Sequence, residues 1–215
     1  MASVVILDLD GTLVDTNYLH VEAWARAFRA VGREVPRAVI HRQIGKGADQ
    51  MLPELIPDEA AARRADALHG EIYAELSAYS YPLPGARELL ASLKERGVAL
   101  WLATSAKPHE LERQMAMLAA QDKLAGVVSS EDVAKSKPAR DVFTATLERA
   151  GCAPAAAVVV GDTVWDIIAA DKAGLRAAAV LTGGAFSEAE LRAAGAVAVY
   201  RDCAALLAGG FPAGI

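Results

Sequence analysis

Two aspartates one residue apart, Asp8 and Asp10, carry the strongest chemical signal in the chain. They follow an apolar run rich in β-branched residues, Val4 to Leu7, which predicts a buried strand, and Gly11 lets the chain turn after it. Because one residue separates them, their side chains project from the same side of an extended backbone. Two carboxylates held this close repel each other, and a hard divalent cation such as Mg2+ relieves that repulsion through oxygen ligands.

Two alternative structures also carry a pair of aspartates with this spacing. The EF-hand calcium loop begins with Asp-x-Asp, but its glycine stands at position six and its glutamate at position twelve. Gly11 comes two positions too early for that loop. A solvated turn that happens to carry two aspartates is the second alternative, and the ends of three further predicted strands argue against it.

Composition indicates a globular chain. Of its 215 residues 53% are apolar, enough for one large domain or for a core with a smaller insertion. The 22 basic and 27 acidic residues give a net charge of −5 without a long basic run. This balance argues against nucleic acid or an anionic membrane as the main partner, and no apolar stretch approaches the length of a membrane span.

The beginning of the chain and its two cysteines favour the cytoplasm. Met-Ala-Ser runs directly into the first predicted strand, without a basic segment followed by a long apolar one. Cys152 and Cys203 lack the spacing of a metal site, and we expect buried or half-buried reduced thiols. We therefore expect a cytoplasmic protein, a monomer or a homodimer, whose partner is a small molecule.

From about residue 82 onwards, short apolar runs alternate with segments of helical periodicity. The predicted strands are 98–103, 126–129, 157–161, 177–181 and 196–200, and the predicted helices are 86–96, 108–118, 139–150, 164–173 and 187–194. Strict alternation predicts right-handed crossovers and an α/β fold, a doubly wound parallel sheet with helices on both faces. Ligands of such sheets bind outside the carboxyl ends of the strands.

Residues 16–81 interrupt this alternation. The predicted helices there are 19–31, 50–55 and 58–79. Pro82 and Pro84 mark a linker that leads back to the sheet. The sequence therefore predicts a Rossmann-like core made of residues 1–15 and 82–215, with a small helical domain inserted after the first strand.

Polar side chains follow three more of the predicted strands. Thr104 and Ser105 offer hydroxyls that can hydrogen-bond the oxygens of an anion. Lys137 stands directly before a proline that begins a helix, and Asp162 and Asp166 face one way across a strand-to-helix turn. Each of them also has an ordinary explanation: the two hydroxyls can bond to the loop backbone, the lysine can be solvated, and either aspartate can be a helix N-cap. Their common position at strand ends, with the first aspartate pair, favours one site for phosphate and a metal.

The sequence resembles the haloacid dehalogenase superfamily of aspartate-nucleophile phosphotransferases, whose four motifs it matches in order at predicted strand ends. The matching segments are Asp8-Leu9-Asp10-Gly11-Thr12-Leu13-Val14-Asp15, Thr104, Lys137-Pro138 and Gly161-Asp162-Thr163-Val164-Trp165-Asp166. Residues 16–81 are similar to the helical C1-type cap of the family. Asp15-Thr16, with His20 and Trp24, resembles the beginning of the cap in phosphoglycolate phosphatases and β-phosphoglucomutases, so the resemblance spans nearly the whole chain.

The resemblance implies a Mg2+-dependent hydrolase of small phosphorylated metabolites. Asp8 would attack phosphorus and form an aspartyl phosphate, while Asp10 would protonate the leaving oxygen and then activate water. Thr104 and the amides after Asp8, including that of Gly11, would grip the phosphoryl oxygens, and Lys137 would neutralise the shared charge. The implied metal ligands are Asp8, the backbone carbonyl of Asp10, Asp162 and Asp166, the last directly or through water.

The composition of the cap loop Ile44-Gly45-Lys46-Gly47 predicts that this loop contacts the substrate. The two glycines let the backbone approach a ligand, and Lys46 between them can meet a second anionic group such as a carboxylate. An ordinary helix–helix turn with a solvated lysine is the alternative. His20 and Ser105 complete the predicted substrate-binding set, with Gly11, Gly45 and Lys46.

Three other functions share parts of this pattern. A phosphomutase shares all four motifs, but β-phosphoglucomutase-like chains carry an arginine shortly after the cap-loop glycine, and residues 45–49 contain none. A metal-independent dehalogenase lacks the second aspartate, so Asp10 and Asp162 argue against it. A response-regulator receiver has its phosphorylated aspartate after the third strand and no helical cap.

Overall fold

A parallel β-sheet forms the centre of the molecule. The computed structural model describes residues 3–106 and 108–213, with only the backbone of residues 108–110. The strands in this part of the chain are β1 Val4–Leu7, β2 Ala99–Ala103, β3 Leu124–Val128, β4 Ala157–Gly161, β5 Arg176–Val180 and β6 Ala198–Tyr200. Their order is β3-β2-β1-β4-β5-β6, and every neighbouring pair is parallel. The predicted α/β fold is confirmed.

Helices connect the strands and cover both faces of the sheet. Those described are α1 Asn17–Ala30, α2 Arg37–His41, α3 Ala48–Leu55, α4 Glu59–Leu76, α5 Ala86–Glu95, α6 Pro108–Leu118, α7 Asp141–Ala150, α8 Val164–Lys172, α9 Glu188–Ala193 and α10 Cys203–Ala208. Alternate residues of β1 enter two separate cores, because successive side chains of a strand point to opposite faces. Val5 packs in a cluster with Leu89 of α5, while Ile6 packs in a cluster with Phe143 of α7.

The position of β1 decides where the site lies. It pairs with β2 on one side and with β4 on the other, so β2 and β3 extend the sheet in one direction and β4 to β6 extend it in the opposite direction. Parallel sheets bind ligands at such a switch point, in the crevice beyond the carboxyl ends of the strands. Asp8 and Asp162 come directly after the ends of these two adjacent strands.

The first four helices lie between β1 and β2 and have a core of their own. Trp24 and Phe28 of α1 and Ala65 of α4 pack in one buried apolar cluster, separate from the two clusters of the sheet. The chain leaves and re-enters the sheet region at one place, where Asp15 N–H donates to Tyr81 O at 2.9 Å. The structure thus has the predicted helical insertion after the first strand.

Two short helices were not predicted. The five-residue α2 and the six-residue α10 are each too short to show a clear helical period in the sequence. The long helix of the insertion, α4, ends at Leu76, and a single 3₁₀ turn, Ser77–Tyr79, follows it. Cys152 is half-buried and Cys203 buried, both as free thiols, as predicted. Among the described helices none is long and apolar enough to cross a membrane.

Candidate active site

Three buried carboxylates meet at the carboxyl ends of β1 and β4. Asp8, Asp162 and Asp166 each offer an oxygen, and these oxygens lie within 4.8 Å of one another. The first two follow strands, and Asp166 lies in the first turn of α8. The exposed fractions of the three residues are 4%, 2% and 0%. The structure therefore brings together three of the acids that the sequence predicted to share a site.

Lys137 places one positive charge among these acids. Its Nζ lies 2.5 Å from Asp8 Oδ1 and 2.8 Å from Asp166 Oδ1, and the residue is 1% exposed. Burial alone lowers the pKa of a lysine, but the charges of Asp166 and Asp8 outweigh it and raise the pKa of Lys137. Lys137 is therefore a permanent cation that bridges the two acids.

The cluster has more negative charge than one lysine neutralises. Burial raises the pKa of Asp8 to about 7, with Lys137 opposing the shift and Asp166 and Asp10 adding to it. Burial and the charges of Asp166 and Asp8 also raise the pKa of Asp162 well above its ordinary value. Buried carboxyl groups whose negative charges raise each other's pKa values form a site for a divalent cation, because the cation replaces the protons. A donor set made only of oxygens suits Mg2+. The residues present thus fit the metal that the sequence predicted.

Asp166 is held by the turn that begins α8. Thr163 is the N-cap of the helix, and its backbone N–H and hydroxyl both donate to Asp166 Oδ2, at 3.1 and 2.6 Å. This reciprocal capping fixes the carboxylate. Its other oxygen, Oδ1, faces Lys137. Asp166 therefore both caps the helix and belongs to the acid cluster.

Asp162 is held by two residues near the first motif. Thr12 Oγ1 donates to its Oδ1 at 2.9 Å, and Asn17 Nδ2 donates to its Oδ2 at 3.0 Å. Gly11 has φ +74°, and a Cβ there would lie 2.5 Å from Asp162 Oδ2, so only glycine fits. The N–H of Gly11 donates to Val14 O at 2.8 Å, and this residue does not line the cavity. Gly11 thus makes room for Asp162 and uses its N–H within the turn, and its predicted contact to the substrate stays a prediction.

Asp10 stands apart from the acid cluster and faces the helical insertion. Thr16 Oγ1 donates to its Oδ1 at 2.6 Å and Gln114 Nε2 donates at 3.2 Å, while His20 Nε2 lies 3.5 Å away. Burial raises the pKa of Asp10, but His20 and the hydroxyl of Thr16 outweigh it and hold the pKa below its ordinary value. The side chain of Asp10 is thus a carboxylate supported by donors from both parts of the molecule.

A cavity of about 270 Å³ lies between the sheet and the insertion. Asp8, Asp10 and Ser105 form its wall on the side of the sheet. From the insertion, its predicted substrate-binding residues His20, Gly45 and Lys46 line the opposite wall. The structure therefore brings both aspartates of the first motif and the predicted cap loop to one cavity.

The hydroxyl residues after β2 have different positions. Thr104 is 1% exposed, and its Oγ1 accepts a hydrogen bond from Ala106 N at 3.0 Å, which holds the turn. It is not among the residues that line the cavity. Ser105 does line it, and its Oγ donates to Gly45 O at 3.3 Å. Ser105 thus connects the sheet to the cap loop.

His69 and Tyr73, which lie near Asp10 and His20, were not identified from the sequence. His20 Nδ1 lies 3.1 Å from His69 Nε2, the ring of Tyr73 stacks on His20 at 3.8 Å, and that of Trp24 stacks on His69 at 3.9 Å. The nitrogen that carries each proton of the histidine pair depends on the tautomers. His69 lies four residues before Tyr73 on the buried side of α4, so a polar residue in an apolar stripe was the available signal.

Gln114 and Asn17 were also missed. Gln114 lies three residues after Leu111 and four before Leu118, in the buried stripe of α6, which was again an available signal. Its Nε2 donates both to Asp10 Oδ1 and to the hydroxyl of Tyr73. Asn17, the first residue of α1, shows no pattern that would have distinguished it from an ordinary polar residue.

A family assignment follows from the sequence profile that the chain matches. The profile of the haloacid dehalogenase-like hydrolases matches residues 5–180. The chain therefore belongs to the haloacid dehalogenase-like hydrolase family. This range contains all four strand ends that carry the site, and it confirms the resemblance seen in the motifs.

Relatives of the chain include named phosphatases. It is 29% identical to validoxylamine A 7'-phosphate phosphatase of Streptomyces hygroscopicus subsp. limoneus over 81% of this chain and 84% of the relative. It is 28% identical to a phosphoglycolate phosphatase of Rhodospirillum rubrum over 96% of this chain and 90% of that relative. The crystal structure of a hydrolase from Pseudomonas syringae, 33% identical, superposes with a TM-score of 0.91 over 96% of this chain and 97% of that one.

Proposed function

We propose that the chain hydrolyses small phosphate monoesters in a Mg2+-dependent reaction with an aspartyl-phosphate intermediate on Asp8. The observation that carries this proposal is the cluster of Asp8, Asp162 and Asp166 around Lys137, with Asp10 separate from it on the same cavity. Such a site offers a nucleophile, a cation site and a second carboxylate for proton transfer. The phosphatase names of the relatives support the same reaction.

Asp8 is the nucleophile in this proposal. Its carboxylate attacks phosphorus, the bond to the ester oxygen breaks, and the leaving alcohol takes a proton. Lys137, 2.5 Å from Asp8 Oδ1, stays charged throughout and offsets the negative charge shared by Asp8 and the transferring group. Thr104, whose Oγ1 accepts from Ala106 N, would donate its hydroxyl proton to a phosphoryl oxygen, and this role stays a prediction.

Asp10 is the acid and base. A bound dianionic ester raises the pKa of a nearby carboxylate, so Asp10 takes up a proton as substrate binds and passes it to the leaving oxygen. As a carboxylate again, it then removes a proton from the water that attacks phosphorus. Thr16 and Gln114 hold Oδ1 for both steps.

The metal ligands in this proposal are Asp8, Asp162 and Asp166, with the backbone carbonyl of Asp10. Mg2+ bound there would neutralise the acids and polarise a phosphoryl oxygen. Thr12 and Asn17 orient Asp162, and Thr163 orients Asp166, so the donor oxygens are positioned by neighbours that do not touch the substrate.

Residues 16–81 form the cap in this proposal and the rest of the chain the core. The cap would choose the substrate through His20 and the loop at Gly45, with Ser105 on the core side, and would shield the aspartyl phosphate from stray water. Lys46 lines the cavity, but its ammonium lies 2.8 Å from Glu54, so a second anionic group would have to compete with that glutamate. A small phosphorylated metabolite as substrate and a cytoplasmic location are part of the same proposal.

A panel of phosphate monoesters, including an aryl phosphate, tests the function. We expect the purified protein to release inorganic phosphate with Mg2+ present and not after chelation. Asp162→Asn should lose this activity, while Asp171→Asn, which changes an exposed aspartate of α8, should retain it. Isomerisation of a sugar phosphate without phosphate release would show a mutase, and undiminished turnover in chelator would contradict the metal-dependent reaction.

A further inference from the structure

A segment of the cap that includes the loop at Gly45 rests on a surface of the core beside the acid cluster. The indole Nε1 of Trp165, in the first turn of α8, donates to Arg42 O at 3.1 Å. The guanidinium of Arg42 makes two further hydrogen bonds to the core. Its Nη1 donates to Ala185 O at 2.6 Å and its Nη2 donates to Glu190 Oε1 at 2.7 Å. This cap segment is thus bound to the core at two places, α8 and the segment from the β5–α9 connection into α9.

Two cations of the cap cover two aromatic rings of the core. Arg42 lies over the ring of Phe186, 4.1 Å from its centre, and Lys46 Nζ lies 4.2 Å from the centre of the Trp165 ring. The two rings meet edge to face, 6.0 Å apart at 88°. We name Arg42, Lys46, Trp165 and Phe186 the latch. A cation over an aromatic face is attracted to the ring, most strongly where water is excluded.

Each cation of the latch also has a carboxylate partner. Lys46 Nζ lies 2.8 and 2.9 Å from the two oxygens of Glu54, and its side chain is only 4% exposed. Arg42 pairs with Glu190, and both side chains are about half exposed. The ammonium of Lys46 is therefore held between a cap glutamate and a core indole, and the residue also lines the cavity.

The latch acts on the turn that carries the metal ligands. Trp165 lies between Asp162 and Asp166 in the sequence, and Gly45 packs against Thr163, the residue that holds Asp166. A Cβ at Gly45 would lie 2.8 Å from Thr163 Oγ1, and the φ of +97° also favours glycine. The cap loop, which lines the cavity at Gly45 and Lys46, is thus in direct contact with the α8 turn.

We infer that Lys46 and Arg42 are positioning residues, which hold the cap loop closed over the active site through the latch and do not select the substrate. The inference rests on the proposed function for its kinetic consequence alone. Because only the closed arrangement encloses the substrate, a weaker latch reduces the closed fraction and raises the apparent KM of every ester by the same factor. A direct contact of Lys46 with an anionic group would instead affect only the substrates that carry such a group.

Hydrogen exchange tests the latch without any enzyme activity. We expect amides of residues 37–56 to exchange about tenfold faster in Lys46→Met than in the unaltered protein, with α5 and α7 unchanged. Arg42→Met, at the other end of the latch, should act in the same direction, and Lys46→Arg should restore slow exchange because it keeps the cation. The matched control is Arg63→Met, which removes an exposed cap cation paired with Glu59.

Kinetics separate the latch from substrate contact. We expect Lys46→Met to raise the KM of an aryl phosphate and of phosphoglycolate by the same factor, about tenfold. A rise for phosphoglycolate alone, or exchange in residues 37–56 equal to that of the unaltered protein in both latch variants, would overturn the inference. If the protein hydrolysed neither ester, the proposed function would fail, while the exchange measurement would still decide the existence of the latch.

Discussion

The two walls of the cavity hold their polar groups in different ways. On the core wall, Asp8 Oδ1 lies 2.5 Å from Lys137 Nζ, and both residues are almost fully buried. Asp8 is fixed at the end of a parallel strand, and Lys137 is fixed in the segment that follows another strand. On the cap wall, the groups are rings, glycine backbone, the aspartates Asp49 and Asp66, and a lysine already paired with Glu54. The cap meets the core at separate points, such as Gly45 with Ser105 and Asp49 with Ser136.

This difference indicates a division of labour. The sheet fixes Asp8 and Lys137, the charges that the proposed chemistry needs, because strand ends are rigid and their neighbours are buried. In the proposed function, the cap, connected through residues near Asp15 and Tyr81, encloses the substrate, and its His20 supports Asp10. Changes of core charges should therefore stop the reaction, and changes of cap groups should modulate it.

The largest effect is expected at Asp8. Asp8→Asn should abolish measurable turnover of an aryl phosphate, since an amide is a poor nucleophile. The comparison is Asp49→Asn, an aspartate on the cap wall whose Oδ2 accepts from Ser136 N, a bond that an amide oxygen can keep. We expect that change to alter kcat by less than about tenfold. Equal losses in the two variants, measured by phosphate release, would remove the distinction between core and cap.

Lys137 should show the next largest effect. Lys137→Ala leaves Asp8 and Asp166 without their shared cation, and we expect kcat to fall by about 10²–10³-fold. Lys135→Ala changes an exposed lysine two residues away and should leave kcat within a factor of about two. Circular dichroism controls for folding. A greater loss from the Lys135 change than from the Lys137 change would show that the third motif is misplaced.

The excess negative charge of the core wall predicts a stability that depends on pH and on Mg2+. Folding raises the pKa of Asp8 from 3.8 to about 7 and raises that of Asp162, so between these values the folded state binds more protons than the unfolded state. Stability of the metal-free protein therefore falls as pH rises from about 4 to 7. Mg2+ should raise the Tm more at pH 8 than at pH 5.5, by on the order of 5 °C.

Asp162→Asn provides the control for that measurement by differential scanning calorimetry. The amide oxygen can keep the bond from Thr12, and Asn17, whose Oδ1 has no hydrogen bond among the described residues, can turn its amide to accept from the new nitrogen. Without the charge, the variant should melt higher than the unaltered protein in chelator at pH 8. It should also lose the response to Mg2+. A Mg2+ effect of the same size at both pH values would argue against a binding site made of these acids.

The smallest effect is expected at Gln114, a core residue that touches both Asp10 and the cap residue Tyr73. Gln114→Met keeps the shape and removes a donor to Asp10 Oδ1, which should lower kcat by about three- to tenfold. The control, Gln121→Met, changes an exposed glutamine just after α6. If Gln114→Met left kcat unaffected while His20→Asn strongly reduced it, support of Asp10 would come from the cap alone.

Much of the fold and of the core wall could be predicted from the sequence because the signals there are local. Each strand of the sheet is a short apolar run, and Asp8, Lys137 and Asp162 follow such runs directly or within the next loop. A parallel sheet brings the carboxyl ends of its strands together, so one-dimensional positions become neighbours in space. The helical insertion between β1 and β2 was predicted from another local signal, the helical periodicity of residues 16–81.

The rest depended on contacts between distant segments. Gln114 is 104 residues from Asp10, and Trp165 is 123 residues from Arg42, and no periodicity links either pair. Lys46 was predicted to meet an anionic group of the substrate, but its ammonium pairs with Glu54, which belongs to the following helix. Gly11 was predicted to offer its N–H to a phosphoryl oxygen, but the local turn uses that donor for Val14 O.

The central claim is that Asp8 forms a covalent bond to the transferred phosphoryl group. Asp10→Asn should trap this species with an aryl phosphate, whose leaving group needs little help from an acid, because hydrolysis of the intermediate needs Asp10 as a base. Acid quenching, digestion and mass spectrometry should then find one phosphoryl group on the peptide that contains Asp8, and none after Asp8→Asn is added. The account would be contradicted if the phenol were released while the Asp8 peptide carried no phosphoryl group. A phosphoryl group on another residue would contradict it as well.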